Sequence, residues 1–310
     1  MQLEPFTFSE TIAAECSPCL GNRWRVANEH AQVIASALKT GDEIGNLVAR
    51  LGTSDNPIGR VLVAYRNARR ALKGNLNKPR AVMEVLDELR RTVVDATDKT
   101  LGDAVDVGKA QAMRDLVAYG ITAQTADIPG DVANNAVMAV RTRVDSQIYS
   151  VRASVLTGFA DENLILGDDT RVGVLSGGGV ISEASKWIAA LTLFAYRRNV
   201  KQSAPADEFM RQAIAAIDER TTETCLEVNG QVVGMDEDFH LVGTPRYADY
   251  LRDPPFHNYC RTSVALVRNT DAKDRLTQEM EDAGQAELKA RGPDGKNRVE
   301  IHPAHARSGR

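Results

Sequence analysis

The chain has 310 residues, of which 43% are hydrophobic and 26% charged, and its net charge is −4. That size allows a large core and suits two domains better than one, and the slightly acidic balance excludes a global electrostatic pull toward nucleic acid. No run approaches the roughly 20 apolar residues that span a bilayer. The start, MQLEPFTFSE, lacks the basic and apolar regions of a secretion signal, and four cysteines are too few for a disulfide scaffold. A protein made in a reducing cytoplasm, with no membrane partner, is expected. Only 5% of residues are aromatic while Ala and Val abound, which favours helices packed through small side chains.

Cys16-Ser17-Pro18-Cys19 has the spacing of half a zinc site or a redox pair. No strand precedes it, as a thioredoxin-type motif requires, so two unliganded thiols are the simpler reading. Arg23–Leu38 and Asp42–Leu51 read as short helices broken at Thr40-Gly41. Pro57 opens another, Ile58–Leu72. Arg60, Arg66, Arg69, Arg70 and Lys73 make it basic, either as a solvated face or as one turned to DNA or an acidic partner.

Pro79 opens the clearest helix, with Val82, Leu86, Leu89, Val93 and Ala96 at alternating spacings of four and three. The seam fails at Thr100 and Asp103, so it predicts a bundle helix rather than a coiled coil. This helix continues past Gly102 toward Tyr119, with Gly120 as its stop. After a loop at Ile121–Gly130, Val137, Val140, Val144, Ile148, Val151 and Val155 make one apolar stripe. It predicts a second long helix packed back, antiparallel, on the first.

Residues 161–181 read as a junction between a helical body, 1–160, and a C-terminal module, 182–268. Arg171–Leu175 could be a strand, followed by Ser176-Gly177-Gly178-Gly179 and a helix at Ser182–Arg198. Strand, glycines and helix is the order of a phosphate cradle. The fixed nucleotide-loop signatures are absent, so a flexible connection is expected. Asp161, Glu162, Asp168 and Asp169 lack the spacing of a calcium loop. The helix at Ser182–Arg198 would bury Trp187, Leu191 and Phe194 on one side. Ala206–Asp218 reads as a final helix with Met210, Ile214 and Ile217 as its stripe.

The chemistry concentrates in Asp218–Arg268. Asn229-Gly230 suits a two-residue hairpin turn between short runs at Cys225–Val228 and Gln231–Val233. Asp253-Pro254-Pro255 forces extended backbone, and Thr262–Val267 reads as a returning strand. Such a knuckle would bring Cys225, His257 and Cys260 together. Two thiols and an imidazole are zinc-type ligands, with His240, Asp236, Asp238 or water as a fourth. Simple packing of thiols and histidine explains the same residues, and a Cys225–Cys260 disulfide would need oxidising surroundings. Arg261 is expected to pair with an acidic neighbour such as Glu223. No metalloprotease, deaminase or serine-nucleophile motif occurs, so binding rather than turnover is expected. Residues 269–310 read as a charge-rich helix ending near Gly292-Pro293, then a basic, disordered extension carrying His302 and His305.

Arg220, Thr221, Thr222, Cys225, Gly230, Pro254, Pro255, His257, Cys260 and Arg261, in this order, resemble the C-terminal signature of the phage Mu F-like minor head (head-morphogenesis) proteins. The resemblance covers Asp218–Arg268 only. It also departs from the family at one position, since many members continue Cys-Arg-Cys where Thr262 stands here. It implies a structural minor capsid protein of a tailed double-stranded DNA phage, made in the bacterial host cytoplasm. Such a protein acts in capsid assembly at the portal vertex or capsid interior, in multiple copies per virion. Portal and capsid proteins would be its partners, with packaged double-stranded DNA as a further contact. Mu F-like modules are also joined to toxin domains, so a phage-encoded enzyme delivered with the genome is one alternative and a zinc-binding adaptor another. The fold expected is mainly α, with long antiparallel helices, a small C-terminal α+β knuckle and an extended tail.

Overall fold

The structure is a computed structural model that describes residues 21–52, 59–73, 75, 78–160, 175–218, 221–240, 250–251 and 253–295. Cys16, Cys19, positions 171–174 of the expected strand, Arg220 and the basic extension from 296 onward lie outside the described residues. In chain order the elements are α1 (Gly21–Leu51), α2 (Arg60–Leu72), α3 (Pro79–Ala118), α4 (Gly130–Ala160), α5 (Gly177–Ser203), β1 (Phe209–Ile214), α6 (Glu223–Val228), β2 (Val232–Gly234), β3 (Phe239–His240), β4 (Tyr250–Leu251), β5 (Ser263–Arg268) and α7 (Arg275–Gly295). The protein is mainly helical, with a small antiparallel sheet near its C-terminal end.

The two long helices follow from their periodicity. Pro79 sits in the first turn of α3, where its missing N–H has no intrahelical partner to lose. Val82, Leu86, Leu89, Val93 and Ala96 are all buried, as are Val140, Val144, Ile148, Val151 and Val155 of α4. Ion pairs Arg90–Asp145, Arg141–Asp98 and Arg152–Asp87 tie the two together. As one residue number rises the other falls, so the helices run antiparallel. Gly120, at φ +69°, ends α3 as expected.

Three sequence expectations are corrected. First, α1 runs unbroken through Thr40-Gly41. The Thr40 hydroxyl donates to the Ser36 carbonyl and accepts from Arg114, so it is satisfied inside the helix. Gly41 marks a close approach instead: a Cβ there would stand 2.4 Å from the Arg261 carbonyl oxygen. Second, α5 begins at Gly177, so Gly177–Gly179 form a helical first turn rather than a flexible connection. Leu191 is buried and Trp187 packs partly against the core, whereas Phe194 stays exposed. Third, the expected helix at Ala206–Asp218 is the strand β1.

β1 is the central strand of the order β2–β1–β5, antiparallel on both sides. Its composition suits a helix, but both its neighbours are β and five of its six residues are buried. Tertiary context overrides propensity there. Two buried polar side chains on β1 find partners at once. Gln212 donates to the Gly230 carbonyl and to Thr277, and His30 of α1 bridges Gln212 (2.8 Å) and Asp274 (2.7 Å) through its two ring nitrogens. Arg211 pairs with Asp253, donates to the Gly234 and Glu237 carbonyls and lies over the Phe239 ring.

The outer edge of β5 would be open to pairing with another chain. α3 covers it with three side chains spaced one turn apart. Gln111 donates to the Val264 carbonyl (2.7 Å), the Leu266 N–H donates to Asp115 (3.5 Å), and the Tyr119 hydroxyl donates to the Leu266 carbonyl (3.1 Å). The small sheet is thereby hydrogen-bonded to the longest helix of the body.

Two glycines test this packing. Gly41→Ala should lower stability by about 1–3 kcal/mol, because the neighbour it would strike is backbone. Gly102→Ala, with open space around it, should raise stability by roughly 0.5–1 kcal/mol. Urea denaturation of both variants checks the pair, and equal effects would contradict the close approach. Separately, burial pushes the Asp115 carboxyl up from 3.8 to about 7, against the opposing hydrogen bonds that include the Tyr196 hydroxyl. Between these two values the native state holds a proton that the unfolded state releases. Stability should therefore fall as pH rises through the window, by on the order of a few kcal/mol. Asp115→Asn keeps an acceptor for Tyr196 and should flatten that slope and melt higher at alkaline pH.

Candidate metal centre

The knuckle is assembled from two directions. From one side, Thr222 caps α6, its side chain accepting from the Cys225 N–H at 3.4 Å. A threonine just before an acidic first turn is an N-cap signal, and it explains why Cys225–Val228 is helical rather than the strand that was expected. Asn229-Gly230 is likewise no hairpin turn. Asn229 accepts from the Ala215 N–H and donates to the Met280 carbonyl, joining β1 to α7. Gly230, at φ +86°, lies against Glu281, whose backbone nitrogen would be 2.6 Å from an added Cβ.

From the other side comes the stretch that follows β4. Asp253 is held by Arg197 of α5 and Arg211 of β1. Pro255 is half-buried, and Phe256 then meets Phe239 edge-on, with ring centroids 6.2 Å apart. Two serines of α5 hold the next turn: Asn258 donates to Ser182 and the Tyr259 N–H to Ser185. Tyr259 adopts φ +60°, a left-handed conformation unusual for an aromatic residue, and reverses the chain into Cys260 and β5. β5 begins at Ser263 and matches the strand predicted at Thr262–Val267.

The result is the convergence the spacing suggested. Cys225 Sγ lies 3.0 Å from His257 Nε2 and 3.7 Å from Cys260 Sγ. The three ligand atoms all lie within 4.8 Å of one another, and the group could hold a metal ion. His257 Nδ1 lies 2.6 Å from the Asn258 carbonyl, which can only accept. That fixes the proton on Nδ1 and turns the Nε2 lone pair toward the sulfurs, as a metal-ligating imidazole requires. Burial pushes the Cys225 thiol well up, and Cys260 beside it adds to the rise. Burial opposes charge on Cys260 too. Its pKa nevertheless lies well below the usual value, because the Cys225 thiol and His257 both favour a thiolate there. His257 is raised: burial disfavours its charged form, but the Cys260 charge and hydrogen bond outweigh that.

Among the described residues no fourth metal-type ligand joins the group. Asp236 pairs with Arg197 and Lys201 instead, and Asp238 and His240 are exposed. Thr262, at the position where many Mu F-like proteins carry another cysteine, is buried beside the cluster.

The other signature residues brace the same region. Arg261 pairs with Asp218, at 2.6 and 2.5 Å, rather than with Glu223. The Thr221 hydroxyl accepts from the Asp218 N–H, and Arg291 of α7 donates to the Asp218 and Thr221 carbonyls. Sequence reasoning missed Arg211 and His30, since a single charged residue in a helix-like stretch carries no signal of its burial. It quoted Asp253 only as the start of a proline run.

Compared with protein-family models, curated proteins and solved structures, the chain has no match. Among the described residues no helix is long and apolar enough to cross a membrane. The geometry predicts one metal ion per chain by elemental analysis of protein purified without chelator, and its loss in Cys260→Ser. Retention of the ion by that variant would place it elsewhere.

Proposed function

We propose that this chain is a structural, non-catalytic assembly protein of the Mu F-like minor-head kind, and that its Cys225–His257–Cys260 group takes a zinc ion. On this reading it works in the capsid of a tailed double-stranded DNA phage near the portal, with portal and capsid proteins as partners. The observation that carries the reading is the use to which the signature residues are put. Cys225, His257 and Cys260 meet at one point. Thr221, Gly230 and Arg261 hold the segments around that point. A shared pattern whose members all serve to fix one small module suits a binding surface held in shape.

Zinc is favoured over other metals by the soft donor set. Two thiolates at about 2.3 Å from a tetrahedral zinc stand about 3.8 Å apart, against 3.7 Å between the sulfurs here. Residues Cys225, His257 and Cys260 would hold it. The ion would supply a cross-link between α6 and the start of β5, in a module whose strands are short. The thiol–imidazole contact also resembles a cysteine nucleophile and its base, which favours the enzyme alternative. Against that, Cys225 and Cys260 are 2% and 0% exposed, which leaves an incoming substrate little access to either sulfur.

The test is co-purification of the full chain with the portal and major capsid proteins encoded by the same genome. A stable complex that weakens when zinc is stripped is the expected result. Retained zinc with no binding to either protein would overturn the capsid reading in favour of an independent zinc adaptor. Zinc-independent portal binding would keep the capsid reading and remove the metal from it.

A further inference from the structure

We infer that the exposed face of α2, together with the first turn of α5, is a seat for the phosphate backbone of a double-stranded nucleic acid. This gives a place to the duplex contact that the family resemblance implies, but it is argued from α2 and α5 and is tested without portal or capsid proteins.

α2 holds four arginines and no acidic residue within Arg60–Leu72. Its buried side is Val61, Tyr65, Ala68 and Leu72. Arg69 and Arg70 stand three and four residues after Arg66, so the three share one face, which is exposed. On α3 and α4, by contrast, Arg90, Arg91, Arg141 and Arg152 each pair with a carboxylate. Arg66, Arg69 and Arg70 have no such partner among the described residues. On a chain of net charge −4, that concentration of uncompensated positive charge is local to one helix.

A second feature meets the same face. Arg66 and Arg69 line a recess of about 320 Å³ with Ser176, Gly177 and Gly178 at the start of α5. Ser176 makes no side-chain capping hydrogen bond, so the N–H groups of the first turn keep their donors for another acceptor. A helix start of this kind favours an anion through both its donors and its dipole. Arg143 of α4 brings its guanidinium to 3.0 Å from where a Cβ on Gly179 would stand, and it too has no ion-pair partner among the described residues. Tyr65, 3% exposed, also lines the recess, and its buried hydroxyl has no hydrogen-bond partner among the described residues. Cations and uncapped N–H groups are the donors that phosphate oxygens accept from.

The array points to a polymer rather than a single phosphate. Arg70 lies outside the recess, and Arg60 lines the groove between α2 and α3, so the four arginines of α2 span about 15 Å along the helix on more than one side. Over that length a duplex carries roughly nine negative charges. Guanidinium groups match phosphate oxygens two at a time, and α2 carries no carboxylate to repel them.

The experiment is fluorescence anisotropy of the full chain with a labelled duplex of arbitrary sequence, from about 50 to about 200 mM salt. The expected result is sequence-independent binding that weakens as salt rises. The triple variant Arg66→Gln, Arg69→Gln, Arg70→Gln should bind at least about tenfold more weakly, with a salt slope shallower by about 2.7, or about 0.9 for each phosphate that is no longer neutralised. Its melting temperature should match wild type, since the three side chains are exposed. Arg143→Gln should reduce the slope by about 0.9 on the same scale. No duplex binding by the wild-type chain, or undiminished binding by the folded triple variant, would overturn the inference. So would a loss confined to a polyglutamate probe, which would make the face an acidic-protein contact.

Discussion

At Gly41 the helical body meets the knuckle backbone to backbone. The Arg261 carbonyl rests on α1 at Gly41, and its side chain then runs over Gly45 on its way to Asp218. No side chain other than hydrogen fits at Gly41, so the glycine is fixed by its neighbour and not by any demand of the helix. One residue earlier in the chain stands Cys260, and one later Thr262. The placement of the sulfur cluster is therefore inherited from a helix more than two hundred residues away in sequence. If that contact shifts, the register of β5 and the position of Cys260 shift with it.

Around this contact the structure satisfies its buried polar groups in pairs that cross between elements. Asp253 takes guanidinium groups from Arg197 of α5 and Arg211 of β1. His30 takes acceptors from β1 and from the start of α7. α3 feeds three side chains to the free edge of β5. Buried ion pairs of this kind add little net stability, since desolvation offsets most of the attraction, but breaking one partner is expensive. Their effect is to penalise every arrangement in which the sheet is displaced along the helices. The small sheet has too few residues to hold a position by burial alone, and these polar contacts supply one.

What was legible in the sequence was whatever depends on period and on punctuation. The seams of α3 and α4, the Gly120 stop, the strand at β5 and the meeting of Cys225, His257 and Cys260 were all read from spacing. What was not legible depends on distant partners. Gly41 reads as a helix break because a glycine has the same appearance whether it ends a helix or admits a neighbour. β1 reads as a helix because Met210, Arg211, Gln212 and Ala213 are helix formers, and only the strands on either side make it β. Cys225 was assigned to a strand although Thr222 and Glu223 spell a helix start. There the hairpin signal of Asn229-Gly230 was given precedence over the cap. The partner of Arg261 was expected among its acidic neighbours in the knuckle and is Asp218, which the unexpected strand β1 delivers.

The burial of the sulfur cluster bears on what it can do. A thiolate beside an imidazolium in a closed site replaces the solvation of two charges with a single contact, and such a pair is held only where the protein leaves no alternative. A metal ion would change that balance, because it would neutralise the thiolates and take the place of the proton on the Nε2 that His257 directs inward. A reactive cysteine needs the reverse conditions: an open face, an activated sulfur and room for a substrate. Here neither sulfur has an open face, Cys225 and Cys260 both being buried. The burial favours a ligand set over a nucleophile, and an ion held there, at the joint between α6 and β5, would fasten the knuckle.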